Sequence, residues 1–383
     1  MGLHDGPLAA LQADWARLVD AAHPAGAFRT SAWIASWWNH GSTSREPYVL
    51  VARDAAQGGQ VVGILPLYTE ATSFGGRRAR LMGDGIVGSD YLGVIARPED
   101  AERVSDAAAD ALLSARLDEL QLDDLIADDP LTRALRDRAP HDALLVEPRY
   151  RCPFVRVAGR FEDYLAELPD GIGAQWHRRR KWLEKRPGYR LEVLSTPAEI
   201  DRGMAILVDL HRQRWALEGG SDAIDGPKVE SFHQAAAHAL AELGWARLFV
   251  LSADGAPRAA LYGWRHGDRF AFYQAGHEPA WRPRSVGTVL LGFVIQHCFD
   301  EKLNEFDFLR GEEPYKLRWA TGWRQTERLR VRGAGLRPWL IDRGRTWVTQ
   351  LRGAAKRALP EPAVAFIRSQ RRALNARLSG GSR

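Results

Sequence analysis

The stretch that constrains this chain most is residues 270–323. A strand-like run, Phe270-Ala-Phe-Tyr-Gln-Ala-Gly-His277, passes through Trp281-Arg-Pro-Arg-Ser-Val-Gly-Thr288 into an apolar helical run that ends near Glu301. A second apolar strand follows, Glu305-Phe-Asp-Phe-Leu309, and then the polar segment Arg310-Gly-Glu-Glu-Pro-Tyr-Lys316. A turn at a helix N-terminus presents free backbone N–H groups and the positive end of the helix dipole, which suits a phosphate group.

At 383 residues the chain exceeds one typical domain, and two domains are the natural expectation. Apolar residues at 45% and charged residues at 26% describe a globular protein and exclude extensive disorder. The two cysteines, Cys152 and Cys298, are too few for a disulfide framework or a Cys-type metal site and read as free thiols in a reducing cytoplasm. The N-terminus has neither a basic nor an apolar signal region, and no apolar run reaches the ~18–20 residues of a membrane span. The expected location is cytoplasmic, with contact to the inner face of the cell membrane left open.

Regular patterns alternate along the chain. Amphipathic helices are expected over 7–22 and from a Thr30 or Ser31 cap through Trp37 and Trp38, followed by a hairpin of 48–53 and 61–68. A sheet region at 80–95 carries the polar insertion Gly88-Ser-Asp-Tyr91. Next come a helix at 99–115, a strand at 119–122, a helix at 130–138 and two strands at 143–147 and 154–157. A connector at 158–190 contains a strongly basic helix, and Pro187-Gly188 ends it. The second half repeats the theme with a strand at 191–194, helices at 200–217 and 228–243, and strands at 246–251 and 259–264. Only the second half leads from a strand through a Gly turn straight into a long apolar helix.

Four motifs carry a resemblance to a known family. They are Phe28-Arg-Thr-Ser-Ala-Trp33 with Trp37, and Asp209-Leu-His-Arg-Gln-Arg-Trp215 before Gly219. The others are Gly276-His-Glu-Pro279 with Ser285-Val-Gly287, and Phe306-Asp-Phe-Leu-Arg-Gly311 with Tyr315-Lys316. Together they resemble the CelD/BcsL-type acetyltransferases of the GNAT superfamily, over roughly residues 15–323. The resemblance implies an α/β (α+β) fold of tandem GNAT-like domains with mixed, largely antiparallel sheets flanked by helices. An N-terminal domain on the acceptor side (1–157) would precede the basic connector (158–190), an acyl-CoA-binding domain (191–330) and a basic helical tail (331–383). It also implies acetyl-CoA as donor, no metal, and a hydroxyl or amine of a cell-envelope or exopolysaccharide precursor as acceptor. The same tandem plan occurs in Fem-type peptidyltransferases, which use aminoacyl-tRNA. The family's phosphate turn has Gln/Arg-x-x-Gly-x-Gly/Ala; here Arg284-Ser-Val-Gly287-Thr-Val289 keeps the first Arg and the central Gly but ends on Val.

Backbone amides of Val286, Gly287 and Thr288 would hold a pyrophosphate, with Arg282 or Arg284 adding charge. The alternative is an ordinary loop capped by Ser285. An acidic residue inside an apolar strand must be paired or must line a site, because burying a lone carboxylate is costly. Alternation puts Asp307 and Leu309 on one face and Phe306 and Phe308 on the other. Acyl transfer needs a base, donors to the carbonyl and an acid for the thiolate. Asp307 or Glu312 suits the base, Tyr315 the acid and Lys316 the stabilising charge; alternatively Asp307 forms an ion pair with Arg310 or Lys316. His277 is either a base or a loop histidine bonded to backbone. His211, Arg214 and Trp215 position substrate or pack, and Asp90-Tyr91 face the acceptor or serve as a turn residue and a core aromatic. No His-Glu-x-x-His or Gly-x-Ser-x-Gly pattern occurs, which disfavours a metal or serine nucleophile.

The net charge of +5 is unevenly placed: from residue 331 onward twelve Lys or Arg stand against Asp342 and Glu361. The tail suits either an anionic membrane surface or packing on the body with its arginines outward. The acidic remainder argues against general nucleic-acid binding, so tRNA is expected only in a Fem-type reading. A non-catalytic envelope-assembly module of the same fold is the third reading.

Overall fold

The computed structural model describes residues 9–21, 26–40, 44–72, 75–85, 87–216, 227–340 and 343. In the first half, α1 (Gln12–Ala21) and α2 (Ser31–Asn39) precede the hairpin β1 (Glu46–Asp54) and β2 (Gln60–Ala71). Then come β3 (Arg77–Leu81), β4 (Ile95–Ala96), α3 (Ala101–Ser114), β5 (Glu119–Ile126), α4 (Pro130–Arg138) and β6 (Leu144–Arg156). Two helices, α5 (Phe161–Glu167) and α6 (Ile172–Glu184), lead into β7 (Arg190–Leu194), α7 (Pro197–Ala216) and α8 (Pro227–Glu242). The meander β8 (Ala246–Ala253), β9 (Ala256–His266) and β10 (Arg269–His277) follows, then α9 (Val286–Asp300), β11 (Glu305–Asp307), α10 (Pro314–Leu317) and β12 (Gly322–Arg332).

The twelve described strands form one continuous mixed sheet, in the order β1-β2-β3-β5-β12-β6-β11-β10-β9-β8-β7, with β4 beside β2. The order reads almost alike from the centre outward. Each half has one parallel pair, β3 with β5 and β10 with β11, and each is bridged by a helix. The halves exchange their last strands. β12 lies between β5 and β6, and β6 lies between β12 and β11. Two apolar cores cover the faces of the sheet's second half: α7 and α8 with Ala271 and Leu309 on one side, α5, α6 and α9 with Phe270, Phe306 and Phe308 on the other. The alternation expected for Phe306–Leu309 is therefore present.

Local chemistry explains most boundaries. Thr30 caps α2, its hydroxyl accepting from Trp33 N at 3.0 Å. Gly188 takes φ +63° where the basic helix gives way to β7, a conformation that costs a side-chain-bearing residue energy. The two strands expected at 143–147 and 154–157 are one, β6, because its prolines fall where they cost no ladder bond. Pro148 sits beside a register shift against β12, and the Pro153 carbonyl accepts from Phe308 N beyond the end of β11. The region 80–95 is mostly irregular, since glycines at 83, 85, 88 and 93 all adopt positive φ. The segment 310–316 contains α10, started by Pro314 at its first position. Residues of the basic tail beyond 343 lie outside the described residues, as does Gly219. No helix among the described residues is long and apolar enough to cross a membrane.

Candidate active site

The parallel pairing of β10 with β11 lasts only from Arg269–Ala271 against Glu305–Asp307. After that the strands part. β10 bulges at Tyr273 and stays with β9 to His277, whereas the chain after Asp307 stays with β6 through Phe308 N→Pro153 O (2.9 Å) and Gly311 N→Arg151 O (3.3 Å). The result is a wedge between residues 273–277 and 308–311, closed at its base by the ladder.

Helix α9 begins behind this wedge. Its first intrahelical bond runs from Val289 N to Ser285 O at 3.0 Å, so the amides of Val286, Gly287 and Thr288 precede the ladder. Ser285 takes the left-handed conformation and its side chain makes no cap bond, unlike an ordinary capped loop. A Cβ on Gly287 would stand 3.5 Å from the His277 ring, which places His277 beside the start of α9. Val289 is fully buried and its carbonyl accepts from Trp176 Nε1 at 3.0 Å. The Val in place of a small residue thus belongs to the α6–α9 contact. Arg282 and Arg284 project from the 3₁₀ turn Pro279–Arg284, and Arg284 lies 4.5 Å above Trp182. Trp182 meets Trp281 at 5.9 Å, with Arg186 over the former and Arg258 over the latter.

The first half reaches this region through one loop. Arg29 donates to the carbonyls of Tyr91, Leu92 and Val94, and Trp33 Nε1 bonds Ser89 Oγ at 2.9 Å. Phe28 and Trp33 also lock against Trp264 and Tyr273 of the second half, with ring centroids 5.0–5.9 Å apart. The loop so pinned presents Asp90 and Tyr91. Asp90, fully buried, accepts from Arg310 N (2.9 Å) and Arg310 Nε (2.6 Å). Tyr91 donates to Asp307 Oδ1 at 3.1 Å.

Asp307 is the centre of this network. Its Oδ1 also accepts from Leu309 N at 2.7 Å and its Oδ2 from Arg324 Nη1 at 2.5 Å, while Arg324 Nη2 holds Glu305 at 2.6 Å. Burial pushes the Asp307 carboxyl up to about 6 against the pull of Arg324, with Glu305 adding to the rise. Burial likewise raises the Tyr91 and Tyr273 hydroxyls. Arg310 also meets Asp124 at 3.1 Å and stacks over Tyr150, and carboxylate neighbours raise both Arg310 and Arg324 despite burial. Lys316, itself buried, donates to the Arg310 carbonyl at 2.7 Å and pairs with Glu313.

Asp90, Tyr91, Asp307, Arg310 and Lys316 are thus brought into one network. The partner of Asp307 is Arg324 rather than Arg310 or Lys316, because β12 enters the sheet beside β6. Glu312 and Tyr315 are exposed on α10 and its approach, and Glu312 pairs with Arg151 at 3.3 Å. His211 is buried on α7 under β10, where a Cβ on Gly276 would come within 2.8 Å of its backbone nitrogen. Arg214 and Trp215 lie on α7, but their side chains are outside the described residues. Sequence reasoning missed Arg324, Glu305 and Asp124. Arg324 and Asp124 carry no local motif, and only a strand pairing forecast would have found them. No group of three or more His, Cys, Asp or Glu among the described residues is arranged to hold a metal.

Residues 174–317 match the acetyltransferase (GNAT) domain family. No curated protein sequence matches the chain. Among solved structures, FemX superposes with a TM-score of 0.60 at 10% identity, covering 83% of this chain and 95% of its own. The fold is GNAT-like. The C-terminal domain of a putative lysylphosphatidylglycerol synthetase from Agrobacterium fabrum aligns with a TM-score of 0.52 at 12% identity, covering 85% and 92%. A conserved protein of unknown function from Bacteroides thetaiotaomicron aligns with a TM-score of 0.50 at 11% identity, covering 85% and 98%.

Proposed function

We propose that the protein transfers an acyl group, acetyl from acetyl-CoA in the simplest case, to a hydroxyl or amine of a cell-envelope or exopolysaccharide precursor, as a CelD/BcsL-type enzyme would. The observation that carries this reading is the wedge with the start of α9 behind it. The pyrophosphate would rest on the amides of Val286–Thr288, with Arg282 and Arg284 beside it, and the thioester would lie between β10 and residues 308–310.

The acceptor oxygen or nitrogen attacks the thioester carbon, the C–S bond breaks, and the acceptor proton leaves. Asp307 suits the proton acceptor better than Glu312, which is exposed and held by Arg151. At neutral pH a carboxyl of pKa about 6 is ionised yet still basic. Asp307 lines a cavity of about 30 Å³, room for a water or two, so its proton would arrive by water or through the Tyr91 hydroxyl. Tyr315 protonates the thiolate, and Lys316 fixes the Arg310 carbonyl at the wedge. Arg310 would meet the acceptor, held in place by the buried Asp90, while the buried Tyr91 and His211 support the site from beneath.

A second reading, aminoacyl-tRNA-dependent transfer, rests on the exposed Arg178 and Lys181 of α6 and its C-cap Lys185, with Arg284 over Trp182 of the same helix. Calorimetry separates the two. Acetyl-CoA binding that Gly287→Trp abolishes supports the first, and no binding to the wild type removes it. Contact of the basic tail with a membrane surface stays part of the proposal, and vesicle co-sedimentation tests it.

A further inference from the structure

At the ends of the central strands away from the start of α9, two adjoining cavities of about 320 and 590 Å³ share Arg269 and Arg324 as walls. Arg269 opens β10 and His277 closes it. His277, beside the start of α9, thus lies eight residue steps, roughly 26 Å, along the strand from this cleft. The larger cavity is walled by Arg156, Arg269, Arg324, Asn304 and Glu305 with the apolar Phe154, Val157 and Ala158. The smaller runs from these arginines to Arg29, Ser105 and the start of α4.

Charge and unmade bonds say what the cleft would take. Three guanidinium groups meet at the larger cavity; Arg324 is already paired with Asp307 and one oxygen of Glu305, which leaves Arg156 and Arg269 to face a ligand. Arg156 is exposed with no acid in salt-bridge range among the described residues, and Arg269 stands 3.7 Å from Glu305. Guanidinium forks match oxyanions in geometry and charge. The other Glu305 oxygen, Oε1, faces Arg269 Nη1 at 3.7 Å but accepts no hydrogen bond, and the buried Ser105 hydroxyl, whose residue is 1% exposed, makes none either. Buried polar atoms are costly to leave unpaired, and both line these cavities. A ligand hydroxyl would satisfy Glu305.

We propose that this cleft is a second ligand site, for a small organic oxyanion that also carries hydroxyl groups. The volumes suit a metabolite rather than a polymer. The site is distinct from the donor position at the start of α9; Arg324 and Glu305, which also belong to the Asp307 network, are therefore left unchanged in the test.

The test is calorimetry of the full chain with inorganic phosphate and, separately, gluconate. Saturable binding of phosphate points to phosphate esters, and of gluconate to hydroxy acids. In Arg156→Gln/Arg269→Gln the affinity for the bound probe falls at least tenfold, while acetyl-CoA titrations stay as in the wild type. If the double variant fails to fold, Arg156→Glu at an exposed position serves alone, with the same tenfold loss expected. The proposal is overturned if neither probe binds saturably, or if these variants bind as the wild type does. It is equally overturned if Gly287→Trp, and not the arginine variants, removes the probe.

Discussion

Asp307 accepts from Tyr91, Leu309 N and Arg324, so replacing it has both a structural and a chemical consequence. Asp307→Asn leaves Arg324 paired with Glu305 but weakens the bonds to Arg324 and Leu309 N, and we expect urea unfolding at pH 7 to show a loss of about 1 kcal/mol. Turnover should fall to near zero with acetyl-CoA affinity little changed; full activity would exclude Asp307 as the base. The pH dependence has a definite sign. Because burial raises Asp307 to about 6, the folded chain takes up its proton before the unfolded chain does on acidification. Its contribution to stability is therefore present at pH 4 and lost as the pH rises through 6. The stability gap between the wild type and Asp307→Asn should widen by about 1 kcal/mol from pH 7 to pH 5. Activity should decline below pH 6 as the base becomes protonated. The need for a partner was legible at this residue, since a carboxylate in an apolar strand cannot stand alone. Which partner was not, because Arg324 lies on a strand whose neighbours are set elsewhere in the fold.

For α9, the glycines separate packing from binding. Gly292 lies under Trp176, and an added Cβ would come within 2.1 Å of Nε1. Gly292→Ala should lower stability by about 1–3 kcal/mol in thermal unfolding, by forcing α6 away from α9. Gly287 has ordinary space around it. Gly287→Ala should keep acetyl-CoA binding within about threefold, since a methyl group fits and the amides remain. Gly287→Trp would cover those amides, and at least a tenfold loss with unchanged melting temperature is expected. Equal affinities for both variants would detach the helix start from donor binding. The periodicity of residues 286–301 announced the helix, and Val289 looked like a flaw in the turn. Its burial against α6 gives it a packing reason that no local pattern contains.

The exchange of strands makes the halves interdependent. A fragment of residues 158–383 would lack β6, which leaves β11 without one partner and β12 without either. We expect this fragment to show no cooperative unfolding by circular dichroism, because unpaired central strands lose ladder bonds and buried area together. A sharp two-state transition for it would contradict the coupling. The aromatic contact of Phe28 and Trp33 with Trp264 and Tyr273 adds a second tie between the halves.

What the chain's own order of residues determined is local: the hairpin, the amphipathic helices, the Thr30 cap, and the strand–turn–helix–strand run at 270–323. Periodicity and capping act over a few residues, so they can be read without the fold. The tertiary structure alone decided how the strands are shared, because β6 and β12 pair across more than 150 residues of sequence on surfaces that many apolar strands would satisfy. That sharing brings Arg324 to Asp307 and Glu305. The pinned loop after β3 brings Asp90 to Arg310. The early parting of β10 from β11 turns an ordinary helix start into the back of a wedge.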